Sequence, residues 1–163
     1  MISKIEQWKL RKNEIGDIHK KLINKLKRLN AKRLNELANE IHEQIFSEID
    51  CLECANCCKS IPPIINETDI RRVSKYLGLK TTDFNSRYVK YDEDNDMVMN
   101  CSPCPFLKDD NKCDVYGFRP KACREYPHTG DFEFVKNMKL HAINSKYCPA
   151  VFHILESLAK RLI

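Results

Sequence analysis

Apolar residues recur at three- and four-residue steps through the first fifty positions: Ile15, Ile18, Leu22, Leu26, Leu29, Leu37, Ile41 and Ile45. That spacing places them on one stripe of a 3.6-residue period and predicts helix. No proline precedes Pro62, and Gly16 is the only glycine in the stretch. The stripe falters around residues 30–33, which leaves two options, one long helix or an antiparallel pair turning there. Residues 51–60 have neither a helical nor a strand period. Ile61-Pro62-Pro63-Ile64 then predicts extended backbone, because each proline fixes its own φ and biases the residue before it away from helix. Asn66-Glu67-Thr68 supplies capping side chains to a helix of about ten residues carrying Ile70, Val73, Tyr76 and Leu77, with Gly78 just past its end. Thr81 or Thr82 caps a shorter helix with Phe84 and Tyr88. Residues 97–100 and 112–116 are candidate short strands around an Asp109-Asp110-Asn111 turn. Arg119-Pro120 opens another short helix with proline in its first turn. The last helix begins at Pro149 and turns Val151, Ile154, Leu155, Leu158 and Leu162 inward. The pattern is mainly α with minor short β: a helical arm or hairpin over residues 1–50, and a small domain over 51–163 that ends in a helix.

Charge bears on the arm. From Lys9 to Arg33 there are ten basic and two acidic residues, whereas Leu34 to Asp50 has five acidic and none basic. Folded back, the halves would complement each other, which favours the pair. The arm would then cap the core of the next domain. Seven cations between Lys20 and Arg33 could meet phosphates, but no aromatic platform interleaves with them, and the pattern argues against nucleic acid as partner.

Other classes drop out on composition. The longest uncharged run, Met97 to Leu107, has 11 residues, against roughly 20 apolar ones for a transmembrane helix. The first twelve residues mix charges where a secretory signal would carry an apolar core, so the expected location is cytoplasmic. The four glycines are scattered, which excludes a glycine-rich loop for dinucleotides or nucleoside triphosphates.

Cysteine supplies the chemistry. All nine cysteines fall between Cys51 and Cys148. In a reducing compartment such density reads as metal binding rather than disulfides, and nine thiols cannot all pair. The string Cys51-Leu-Glu-Cys54-Ala-Asn-Cys57-Cys58 repeats the two-residue spacing that lets thiolates wrap one ion or one cluster corner. Three such cysteines followed by a distant Cys-Pro is also the arrangement of bacterial iron–sulfur runs, and Cys104-Pro105 and Cys148-Pro149 both occur. This tips the balance towards an iron–sulfur cluster of the 4Fe-4S type, with Zn2+ close behind, since soft thiolates take either. One site could draw on Cys51, Cys54 and Cys57 or Cys58 with one or more of Cys104, Cys113, Cys123 and Cys148. Eight thiols would equally fill two four-cysteine sites. Adjacent Cys57 and Cys58 are expected to point apart.

Cys51 to Cys58, with Cys104-Pro105-Phe106-Leu107, Cys113-Asp-Val-Tyr116 and Tyr116-Gly-Phe-Arg119-Pro120-Lys-Ala-Cys123-Arg124-Glu-Tyr126-Pro127, resembles the CxxCxxCC zinc- or iron-chelating family, the YkgJ-like cysteine-cluster proteins. The cysteine domain of flagellin lysine N-methylases is similar. The resemblance runs from about Asp50 to Cys148 and implies a bound metal held by Cys51, Cys54, Cys57, Cys58, Cys104, Cys113, Cys123 and Cys148. Because it falls on Cys104, Cys101 is left as the spare thiol. Arg119 and Arg124 flank Cys123 and offer cationic donors to an anionic substrate or to a thiolate-bound metal. Tyr126 would line the same pocket, and His128 is the histidine nearest the motifs. Two functions follow. One is a metal-dependent enzyme, or enzyme accessory, that modifies a protein or peptide. The alternative is a structural zinc- or cluster-stapled adaptor module without catalysis.

Overall fold

The computed structural model describes residues 2–163. In chain order the helices are α1 (Lys4–Arg11), α2 (Gly16–Leu26), α3 (Ala31–Glu48), α4 (Cys51–Cys54), α5 (Asn56–Ser60), α6 (Glu67–Tyr76), α7 (Thr81–Tyr88), α8 (Lys121–Glu125), α9 (Met138–Asn144) and α10 (Pro149–Leu162). Strands β1 (Val89–Tyr91) and β2 (Met97–Met99) form one antiparallel pair, and a 3₁₀ turn spans Tyr116–Phe118. The chain is mainly helical with a minor sheet, as the periodicity predicts. Two compact units form, one from the segment ending at Cys54 together with Pro127–Ile163, the other from Ala55–Tyr126.

The first unit is built on α3 and α10. Leu34, Ala38, Ile41 and Ile45 of α3 pack with Val151, Ile154, Leu155 and Leu158 of α10, and α2 and α9 add Leu22, Ile23, Leu26, Met138 and Ala142. Residues 149–155 are all buried, so α10 is the helix the others surround. The arm is neither one rod nor a simple pair. Ser3 starts α1 with a capping box, and Asn30 caps α3 by accepting from the Arg33 amide at 3.0 Å, which places a break where the stripe falters. The stripe itself is partly solvated, since Ile18 and Leu29 are exposed while His19 and Ile23 are buried in their place. His19 donates Nε2–H to Glu156, and Trp8 donates its indole N–H to the Ser145 carbonyl at 2.9 Å. The acids of α3 find their cations outside α2, in Arg161 for Glu40 and Lys4 for Glu48.

The second unit has a smaller core of Ile65, Ile70, Val73, Phe84, Met99, Phe106 and Val115, with Cys104 and Cys113 packed against it. Asn66 and Asp69 make a capping box at the start of α6, and Gly78 ends that helix at φ +67°, a conformation that favours glycine. Val89 pairs with Met99 and Tyr91 with Met97, and the Pro63–Ile65 segment adds the bonds Ile65 N–H to Met97 O and Met99 N–H to Pro63 O. Asp92 closes the β1–β2 turn by accepting from the Asp94 and Asp96 amides. One reading of the pattern is corrected here. Residues 112–116 are not a strand: Leu107 and Cys113 make a single bridge around the Asp110-Asn111 turn, and Cys113 then leads into the 3₁₀ turn. Tyr76 is half exposed and stacks on Phe118 at 4.3 Å.

Candidate metal centre

The run from Cys51 to Cys58 folds as two short helices. Asp50 Oδ1 accepts from the Leu52 amide at 2.8 Å and starts α4, which sets Cys51 and Cys54 three residues apart on one helical face. Buried Ala55 takes a left-handed conformation, φ 46°, and redirects the chain into α5 with Cys57 and Cys58. The adjacent Cys57 thiol acts on that of Cys58.

Within Ala55–Tyr126 the chain brings four sulfurs from four separate segments into mutual electrostatic contact. The Cys58 carbonyl accepts from the Cys104 amide at 2.8 Å, tying α5 to the Cys-Pro segment. The Cys104 carbonyl accepts from Leu107, and the Asp114 amide donates to Phe106 O, which fixes Cys113 beside it. Cys123 rides on α8. Cys58, Cys104 and Cys113 all act on Cys123, and Cys58 acts on Cys104 and Cys113. Exposed Cys101 also acts on Cys104, so the thiol expected to be spare stands within electrostatic reach of the set.

The other unit holds a second group. Cys148 is the N-cap residue of α10 and makes no side-chain capping hydrogen bond, and the thiols that act on it are Cys51 and Cys54. The donors named by the motif are thus gathered as Cys58, Cys104, Cys113 and Cys123 in one unit and Cys51, Cys54 and Cys148 in the other. No disulfide joins any of the nine. Among the described residues, no three His, Cys, Asp or Glu side chains converge as a finished coordination sphere would.

Electrostatics separate one thiol from the rest. The hydrogen bond from Cys57 lowers Cys58 to about 7, against the opposing effect of burial and with help from the Arg119 and Lys59 cations. Burial, and then the neighbouring sulfurs, push Cys104 up to about 11 and Cys123 up to about 12. Cys113 is raised for the same reasons, with Arg119 opposing. Burial likewise raises Cys148 to about 12. Four partly buried sulfurs resist ionising beside one another, and a soft cation among them would add an attraction to each thiolate that outweighs their mutual repulsion. An all-sulfur donor set of this kind fits zinc or an iron–sulfur cluster and suits hard ions such as magnesium or calcium poorly.

Arg119 is the cation closest to this chemistry. Its guanidinium lies 3.7 Å from the centre of the Tyr116 ring and its Nε donates to the Tyr116 carbonyl at 2.9 Å, which holds the charge where it acts on Cys58, Cys113 and Cys123. Arg124 turns instead to the Arg119 carbonyl. Tyr126, partly buried, follows α8 as its C-cap, and His128 takes a left-handed φ of 62°. Sequence reasoning missed Asp69 and Arg72. Asp69, only 2% exposed, accepts from Arg72 at 2.7 Å and from the Lys121 amide at 3.2 Å, and Arg72 donates to the Arg119 carbonyl at 2.6 Å. Asp69 stands three residues after Asn66, where a capping-box acid falls, but nothing in a linear sequence pairs it with residues fifty positions away.

Together the fold and the donor set define a small helical protein whose second unit is organised around thiols. A family model described as “CxxCxxCC: Putative zinc- or iron-chelating domain” matches residues 50–149, and the chain belongs to that family. It is 29% identical over 93 residues to an uncharacterized protein, MJ0661, of Methanocaldococcus jannaschii; the match covers 55% of this chain and 48% of that protein. The chain therefore spans about half the length of this curated relative. No solved structure matches the chain. No helix among the described residues is long and apolar enough to cross a membrane.

Proposed function

We propose that the protein is a metal-stapled cysteine-cluster module that binds an iron–sulfur cluster, of the 4Fe-4S type, or Zn2+. Within one unit its ligands come from Cys57, Cys58, Cys104, Cys113 and Cys123, and within the other Cys51, Cys54 and Cys148 supply a separate set. The observation that carries this reading is that Cys58, Cys104, Cys113 and Cys123, from four segments, stand within electrostatic reach of one another, with Cys104 and Cys113 packed against the smaller core. Arg119 is the outer-shell cation that offsets thiolate charge, with Arg124 and Tyr126 beside Cys123 on the same segment. Bound metal contributes its binding free energy directly to folding of such a unit, and a cluster would add redox chemistry. The dense free thiols favour a reducing compartment, the cytoplasm.

A second reading draws on Arg119. A half-buried cation beside the thiols could receive an anionic group of a protein or peptide, and the module would then be a metal-dependent modifying enzyme or its accessory. Anaerobic purification followed by metal analysis, acid-labile sulfide and an absorption spectrum tests both. Four irons and four sulfides per chain are the expected result. Stoichiometric zinc without sulfide keeps the module and removes the redox reading, and a chain with neither metal overturns the proposal.

A further inference from the structure

Helix α6 carries no cysteine, yet it grips the segment that carries two of the four clustered thiols. Asp69, Arg72 and Tyr76 follow one another at three- and four-residue steps and so share one face of the helix. Each reaches the backbone between Cys113 and Cys123. Asp69 Oδ1 accepts from the Lys121 amide at the start of α8. Arg72 donates to the Arg119 carbonyl at 2.6 Å and lies 3.4 Å from that of Phe118. The Tyr76 hydroxyl donates to the Asp114 carbonyl at 3.3 Å, and its ring stacks on Phe118. Arg124 adds a second guanidinium to the Arg119 carbonyl from the opposite side of the sequence.

These contacts hold a stretch that cannot hold itself. Arg119 and Pro120 are extended, with ψ of 145° and 150°, and α8 has only five residues. A single turn of helix after two extended residues is not independently stable. Its position is set by whatever ties it down, and here that is a buried carboxylate and two charge-assisted bonds to one carbonyl.

We propose that the Asp69–Arg72–Tyr76 face of α6 is the template of the metal site, with Asp69 and Arg72 as positioning residues that preset Cys123, Cys113 and the Arg119 cation before metal arrives. This rests on the metal-binding reading of the same thiols. Outer-shell partners of this kind orient ligands, and their loss weakens metal binding about 10–100-fold.

The test uses the full reduced chain with Zn2+ in competition with a chromophoric chelator, and Co2+ as a spectroscopic probe whose sulfur-to-metal charge-transfer band reports bound thiolates. Asp69→Asn and Arg72→Met are each expected to weaken Zn2+ binding about 10–100-fold and to lower the cobalt band per bound ion. Arg72→Lys should restore part of both. The double variant should be no weaker than the worse single one, because both act through one network. Arg124→Gln, on the exposed surface, should lose affinity in the same direction by less, and it decides the matter if the buried variants fail to fold. Affinity and cobalt band at wild-type values in Arg72→Met and Arg124→Gln would overturn the template. A wild-type chain that binds neither ion nor a cluster would overturn the metal reading itself.

Discussion

His141 gives the sharpest test of the first unit. Its ring is fully buried, stacks on Phe134 at 4.3 Å and donates Nε2–H to the Phe134 carbonyl at 2.9 Å, while Nδ1 is buried with no hydrogen-bond partner. Protonation would place a charge and an unsatisfied N–H at that nitrogen. Burial accordingly lowers the group from 6.5 to about 4. The unfolded chain then binds the proton first as pH falls, so the contribution of neutral His141 is complete above pH 6.5, erodes below it and is gone below about 4. Between pH 7.5 and 4.5 this one group removes about 2.5 kcal/mol of stability. The assay is urea unfolding of the wild type and of His141→Phe at several pH values, in metal-free protein so that thiolate protonation is common to both. The variant should be less stable at pH 7.5 by about 1–3 kcal/mol, because the Phe134 carbonyl loses its donor. Its stability should also fall less on acidification, by most of that 2.5 kcal/mol. The other lowered histidines, His19, His42 and His153, act equally in both proteins. Parallel pH profiles for the two proteins would refute the argument.

Other outcomes bear on the thiols and the smaller core. Cys123→Ser should abolish metal binding by the Ala55–Tyr126 set and cost that unit its folded structure, while Cys101→Ser leaves metal content unchanged; a metal loss in the latter would make Cys101 a ligand. In metal-free protein at pH 8, Cys58 should be the first thiol of its set alkylated by iodoacetamide. It is about nine-tenths thiolate there, whereas Cys104 is about one-thousandth; mass spectrometry showing Cys104 or Cys123 modified first would contradict the assignment. Phe84→Ala, at a fully buried ring packed with Tyr88 and Phe106, should cost about 3–5 kcal/mol by chemical denaturation.

What was legible in the sequence follows interaction range. The helices announce themselves through local periodicity and caps, as Asn66 before α6 and Pro149 opening α10 show. The three residues of β1 are too short to carry a period, and the 112–116 segment looked like a strand because alternation cannot tell a ladder from a single bridge. For the site, the identity of the cysteines was legible and their grouping was not. Cys148 reads as a distant closing ligand, and what sequence does not show is that it stands at the start of α10 in the unit that also holds Cys51 and Cys54. Arg119 was picked out for its charge, and its carbonyl, the point that Arg72 and Arg124 both grip, has no signature in sequence at all.

The sulfurs of the second unit have two states of usefulness to the fold, and this explains why they are partly buried rather than exposed at a mouth. As neutral thiols they are small apolar groups, and Cys104 and Cys113 extend a core that otherwise rests on seven buried side chains. That is little for a unit of its size, since domains of this scale often depend on metals or disulfides to remain folded. As thiolates they are partly buried charges that repel one another and are offset by Arg119, Lys59, nearby backbone amides and a bound metal. The same burial that raises Cys104 and Cys123 therefore makes the ionised set unstable alone and strongly committed to a soft cation. Folding and metal capture are thus two readings of one free energy, with α6 tying down the segment between Cys113 and Cys123 before the cation arrives.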